Sequence, residues 1–141
     1  MTKAFVTGGT GFLGGRLIKM LVSRGWHVRA LHRSPGDAAK LAAMGAVPVQ
    51  GDLDNVDALS RGMGDAEVVF HAAAMFKLWG SAEAFERANV DGTRNVLAAA
   101  KAQGVKRFVQ IGAGAVVMGP GRPMLGVTED APLSLPRWAP Y

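Results

Sequence analysis

The first residues whose types and spacing could do chemistry are glycines near the amino end. The stretch "VTGGTGFLG" (6–14) offers two spacings: Gly9, Gly11 and Gly14 as G-x-G-x-x-G, or Gly8, Gly11 and Gly14 as G-x-x-G-x-x-G. In either, residues without a Cβ follow an apolar run ending at Thr7 and open an amphipathic stretch. Free backbone N–H groups and the positive end of a helix dipole would then face an anion that can come close. With a strand before it and a helix behind it, this is the dinucleotide fingerprint, a site for a pyrophosphate. About 20 residues further on, a carboxylate would hold a ribose 2′-hydroxyl and a cation a 2′-phosphate. There the sequence reads "ALHRSP" (30–35), with Arg33 and no carboxylate before Asp37, so NADP is expected ahead of NAD.

Those residues need strands and helices to hold them. "KAFVTG" (3–8), "HVRALHR" (27–33), "AVPVQGD" (46–52), "AEVVFHAAA" (66–74) and "KRFVQIGA" (106–113) read as five strands. Between the first two, Leu13, Leu17 and Leu21 with Ile18 and Val22 form one stripe of a helix that ends before Gly25. "DAAKLAAMG" and "NVDALSRGMG" read as shorter helices, and 81–104 as one long alanine-rich helix capped by Ser81 and closed at Gly104. Unbroken alternation of strand and helix means parallel strands and right-handed crossovers. The expected fold is therefore a doubly wound α/β sheet of Rossmann type. Residues 115–141, rich in proline, read as a loop over the carboxyl ends of the strands, where such folds bind ligands.

Composition narrows the function classes. At 141 residues, 49% hydrophobic and 19% charged, one globular domain is expected. With no cysteine there are no disulfides, thiolate metal sites or cysteine nucleophile, and a cytoplasmic setting is compatible. The net charge of +5 is scattered without a basic block, so no nucleic-acid partner is expected. No apolar run is long enough for a membrane span. His71 ends a strand with no second ligand at metal spacing and is read as a packed or hydrogen-bonded histidine, leaving no metal site.

"TGGTGFLG", "GDL", "HAAA" and "NVDGTRNVL" together resemble, in order and spacing, the extended short-chain dehydrogenase/reductase family of epimerases, dehydratases and reductases. The resemblance covers the whole chain, and "FKLW" (76–79) is most similar to its dihydroflavonol-reductase-like branch. It implies the parse on Gly8, Gly11 and Gly14. It also implies that the backbone of Phe12 and Leu13 meets the pyrophosphate, that Asp52 and Leu53 meet the adenine, and that Ala72, Ala73 and Ala74 run along the ribose and nicotinamide. Locally, the alternative for Asp52 is a loop cap, and Asn89, which braces the active site in the family's pattern, could equally make only local hydrogen bonds. The implied partners are a dinucleotide and a small carbonyl, alcohol or sugar substrate, with a homodimer formed partly through the 81–104 helix.

The family's chemistry uses a Tyr, a Lys four residues later, and a Ser or Thr after the fifth strand. "RWAPY" makes Tyr141 the candidate catalytic and nicotinamide-side residue, but the chain ends there, before any such Lys. "IGAGAVV" puts Gly112, Ala113 and Gly114 where hydroxyls are expected, and nothing in the spacing selects Thr128 or Ser134 as a substitute. Two functions are therefore expected to compete. One is the cofactor half of an NADP-dependent oxidoreductase or nucleotide-sugar epimerase/dehydratase, a piece inactive alone because the substrate domain is absent. The other is a non-catalytic NADP-binding sensor or scaffold.

Overall fold

In the computed structural model the described residues are 1–77, 79–117 and 125–133. They fall into two compact units, Met1–Ile111 and Gly112–Tyr141. The first unit contains five parallel strands, β1 (Lys3–Thr7), β2 (His27–His32), β3 (Val47–Gln50), β4 (Val68–His71) and β5 (Arg107–Gln110). Their order across the sheet is β3-β2-β1-β4-β5, the arrangement of a Rossmann sheet. The chain winds outward in one direction from β1 to β3, then returns to the other side of β1 for β4. A crevice therefore opens between β1 and β4 at their carboxyl ends, where Thr7 registers with His71.

Alternation along β1 sends side chains to both faces of the sheet. Phe5 packs on one face with Leu59 and Met63 of α3 (Val56–Met63) and Val96 of α5 (Gly92–Ala102). Ala4 and Val6 pack on the other with Ile18 and Leu21 of α1 (Phe12–Ser23) and Leu41 of α2 (Asp37–Ala43). With helices on both faces, β1 is buried from Ala4 onward, and the turn at its end starts from the centre of the sheet.

The expected single helix over 81–104 is in three parts. Ser81 caps α4 (Ala82–Phe85), its hydroxyl accepting from the Ala84 amide at 3.2 Å; a π-helical segment follows over Glu86–Asp91; then α5 continues to Ala102. Thr93 Oγ1 donates to the Asn89 carbonyl at 2.6 Å, the acceptor the Thr93 amide would use in a regular α-helix.

In the second unit, Gly114–Val117 forms a short 3₁₀ turn, and the Ala131 amide donates to the Thr128 carbonyl at 3.1 Å. A Cβ at Gly112 or Gly114 would meet no described atom within 4 Å. Tyr141 and Ser134 lie outside the described residues.

Candidate functional site

The turn after β1 distinguishes the two glycine spacings. Gly8 has φ +72°, and a Cβ there would sit 2.6 Å from the backbone of Ala72 and Ala73, at the end of β4. Only glycine fits. Gly14 lies so close under the Gly8 carbonyl that a Cβ on it would overlap that group. Gly11, the amino-terminal cap of α1, is extended at φ −79° and ψ 172°, and its Cβ direction meets only the Gly8 oxygen, at 3.3 Å. The space beside Gly11 is open to the crevice. Gly9 is different: a Cβ there meets side-chain ends of Ile18 and Leu41, so its smallness serves the core. Turn, open approach and close packing thus fall to Gly8, Gly11 and Gly14.

The crevice at this turn has a volume of about 640 Å³, within the range of small-molecule sites. Its floor is Gly8 and Gly11, one wall is the stretch from Ala72 to Lys77, and the far end is made by Arg33, Ser34 and the turn after β3. The first turn of α1 carries amides with no intrahelical acceptor and no acidic side chain. Phe12 and Leu13, expected at the pyrophosphate, are not among the residues lining the crevice; both side chains are exposed, the Phe12 ring under the Arg16 guanidinium at 3.8 Å.

Three carboxylates line the far end, and each has a cation. Asp37 pairs with Lys40 at 2.7 Å, Asp52 with Arg33 at 4.0 Å, and Asp54 with Arg87 at 2.5 Å. Arg33 is the most loosely held, with 77% of its side chain exposed. Asp52 also caps the loop locally, its Oδ1 accepting from the Leu53 amide at 2.7 Å. Leu53 is anchored from behind: Asn95 Nδ2 donates to its carbonyl at 3.1 Å, and a Cβ on Gly92 would be 2.8 Å from its Cδ1.

Under the wall runs a buried chain of hydrogen bonds. The Ala73 amide donates to Thr7 Oγ1 at 3.3 Å, and Thr7 Oγ1 is 2.6 Å from His71 Nδ1. His71 Nε2 is 3.0 Å from Thr93 Oγ1, which donates to the Asn89 carbonyl. The Thr93 proton is thus committed, so Nε2 carries the imidazole proton and Nδ1 accepts from Thr7. Burial pushes the His71 pKa down to about 4, which keeps the ring neutral at physiological pH. Asn89 closes the arrangement, accepting from the Met75 amide at 2.7 Å and donating to the Met75 carbonyl at 3.2 Å. Asn89 is therefore a brace on the wall, and His71 a fully hydrogen-bonded histidine.

The structure brings Gly8, Gly11, Arg33, Asp52, Leu53 and Ala72 to Ala74 around one crevice, with Gly14 packed beneath it. The sequence reading missed Arg87 and Asp54, which also line it. Their pairing joins residues 33 apart in the chain, and no local motif marks it. Thr7 and Thr93 were missed too, although each sits inside a stretch singled out for other reasons. Among the described residues there is no group of three acidic or histidine side chains able to hold a metal ion, and no helix long and apolar enough to cross a membrane.

The family model described as NAD(P)H-binding matches residues 8–131. The chain is 45% identical over 139 residues to 4-hydroxy-2-methyl-3-oxo-4-farnesyl-3,4-dihydroquinoline-1-oxide ketoreductase of Stigmatella aurantiaca, covering 99% of this chain and 41% of that protein. It is 37% identical over 140 residues to 2-alkyl-3-oxoalkanoate reductase of Stenotrophomonas maltophilia, covering 99% of this chain and 42% of that one. A short-chain dehydrogenase/reductase superfamily protein from Agrobacterium tumefaciens, solved with bound NAD, superposes with a TM-score of 0.81 at 34% identity, over 99% of this chain and 40% of its own. The chain thus spans about two-fifths of the length of these relatives.

Proposed function

The chain belongs to the NAD(P)-binding short-chain dehydrogenase/reductase family, and from that premise we propose that it is the cofactor-holding part of an NADP-dependent ketoreductase. The observation that carries the reading is the open approach beside Gly11, at the amino end of α1 and at the switch point between β1 and β4. In this reading the α1 amides hold the pyrophosphate, and Asp52 and Leu53 take the adenine. Arg33 takes the 2′-phosphate, and Ala72 to Ala74 let the ribose and nicotinamide lie close. NADP is favoured because the carboxylates lining the far end already have cations while Arg33 is the most loosely held of them. NAD is the second reading, supported by Asp37 in the crevice lining and by the NAD bound to the Agrobacterium relative.

A bound nicotinamide would supply the hydride that reduces a carbonyl carbon. The proton on the carbonyl oxygen falls to Tyr141, carried over from the family's pattern. A ketone substrate is favoured over a nucleotide sugar by the printed activities of the two curated relatives, each a reductase of a 3-oxo compound. The competing reading, a protein that holds NADP without turnover, is supported by the glycines at 112 and 114. A homodimer is part of the proposal, supported by the exposed Val90 and Leu97 along the helical stretch that ends at Ala102.

Calorimetric titration with NADPH and NADH tests the cofactor. Tighter NADPH binding, reduced to the NADH level in Arg33→Ala, is expected; equal affinities in the parent would remove NADP from the reading. In a protein that continues this chain through a substrate domain, consumption of NADPH with a 3-oxoalkanoate then separates the two functions. Tight binding with no turnover, unchanged in Gly114→Ser, would favour the holding protein.

A further inference from the structure

We propose that Arg87 and Asp54 form a strap across the adenosine end of the crevice, and that Arg87 acts as a positioning residue that holds the turn meeting the adenine. The inference rests on the dinucleotide reading above. Arg87 belongs to the π-helical segment, and Asp54 to the turn between β3 and α3. Both line the crevice. Nε and Nη2 of Arg87 converge on one oxygen, Asp54 Oδ2, at 2.9 Å and 2.5 Å. Two donors spent on one acceptor commit the guanidinium to the protein and leave it poorly placed to fork onto a phosphate.

What the strap holds is the Asp52–Asp54 turn. Its middle residue is pinned from α5 by Asn95 and packed against Gly92, while Asp52 caps the Leu53 amide. Those contacts and the Asn55 amide, which donates to the Asp52 carbonyl at 3.0 Å, close the turn's backbone, and Arg87 adds a tie from its Asp54 carboxylate to the π-helical segment. Because the π-helical segment also carries Asn89, which braces Met75, one short segment fixes two opposite borders of the crevice. An adenosine entering between them would meet borders already in place, so less ordering is required on binding.

The Asp54 and Arg87 side chains are 43% and 75% exposed, so single replacements should leave the fold intact, checked by circular dichroism. Titrations of Asp54→Ala, Arg87→Ala and the charge-swapped double variant Asp54→Arg/Arg87→Asp with NADPH and NADH test the strap. Each single change should weaken both dinucleotides about tenfold and to the same extent, because adenosine is common to both, and the swap should recover most of the loss. A loss confined to NADPH, or one the swap does not recover, would mean that Arg87 itself contacts the cofactor and would overturn the proposal. Variants that bind like the parent would also overturn it, reducing the pair to a surface ion pair. A parent that binds neither dinucleotide would instead remove the reading on which the strap rests.

Discussion

A single methyl group separates the duties of the motif glycines. Gly8→Ala forces a Cβ into the Ala72 and Ala73 backbone from a left-handed conformation, and should cost about 2 kcal/mol or more in stability, read from urea unfolding. Gly11→Ala keeps an extended φ and ψ that any residue adopts and meets only the Gly8 oxygen, at 3.3 Å, so it should cost clearly less stability than Gly8→Ala. Its dinucleotide affinity should nonetheless fall by about tenfold or more, because the methyl occupies the open approach. Equal destabilisation by the two changes would contradict this division of roles. At this scale the sequence spoke clearly where chemistry is local. Arg33 and the glycines are legible because the fixed spacing of one β1–α1–β2 unit brings them to the same crevice. Arg87 and Asp54 are not, since their meeting depends on two connections reaching the same crevice.

The strands were legible to within a few residues, because each has a short run rich in Val, Phe or other apolar residues that is bounded by turn residues. The helical stretch 81–104 was legible at its cap and its close, where Ser81 bonds Ala84 and Gly104 takes φ +67°. Its π-helical middle was not, because Asn89 and Thr93 are held by partners from β4 and the wall, which helical periodicity does not register. This predicts a measurable link between element and site. Asn89→Ala removes both bonds to Met75, so hydrogen exchange at the Met75 amide should accelerate by about tenfold or more while the α1 amides keep their protection. Unchanged exchange at Met75 would mean that the wall holds itself.

For the molecule as a whole, the interior of the sheet sets a pH dependence. The unfolded His71 imidazole takes a proton near pH 6.5 and the folded one only near 4, so between these values the unfolded chain binds more protons and stability falls as the pH drops. The loss should amount to about 2 to 3 kcal/mol by pH 4. Asp65, whose carboxylate Lys3 and Arg29 hold below its usual 3.8, contributes a further loss only at more acid pH, in a separate window. Urea midpoints measured from pH 7 to 4 should therefore slope downward in the parent and lie nearly flat in His71→Gln. A parallel slope in both would place the titrating group elsewhere.

The hydrogen-bond chain through Thr7, His71 and Thr93 has one direction of donation from the Ala73 amide to the Asn89 carbonyl, and each proton in it has one place to go. The three positions therefore carry a shared grammar: a partner that only donates, or only accepts, at one of them leaves a neighbour with nothing to pair. Drift at these sites should occur as linked replacements, with the side chains at the ends of β1 and β4 and in α5 changing as a set. In descendants of this sequence the three would be inherited together or exchanged together.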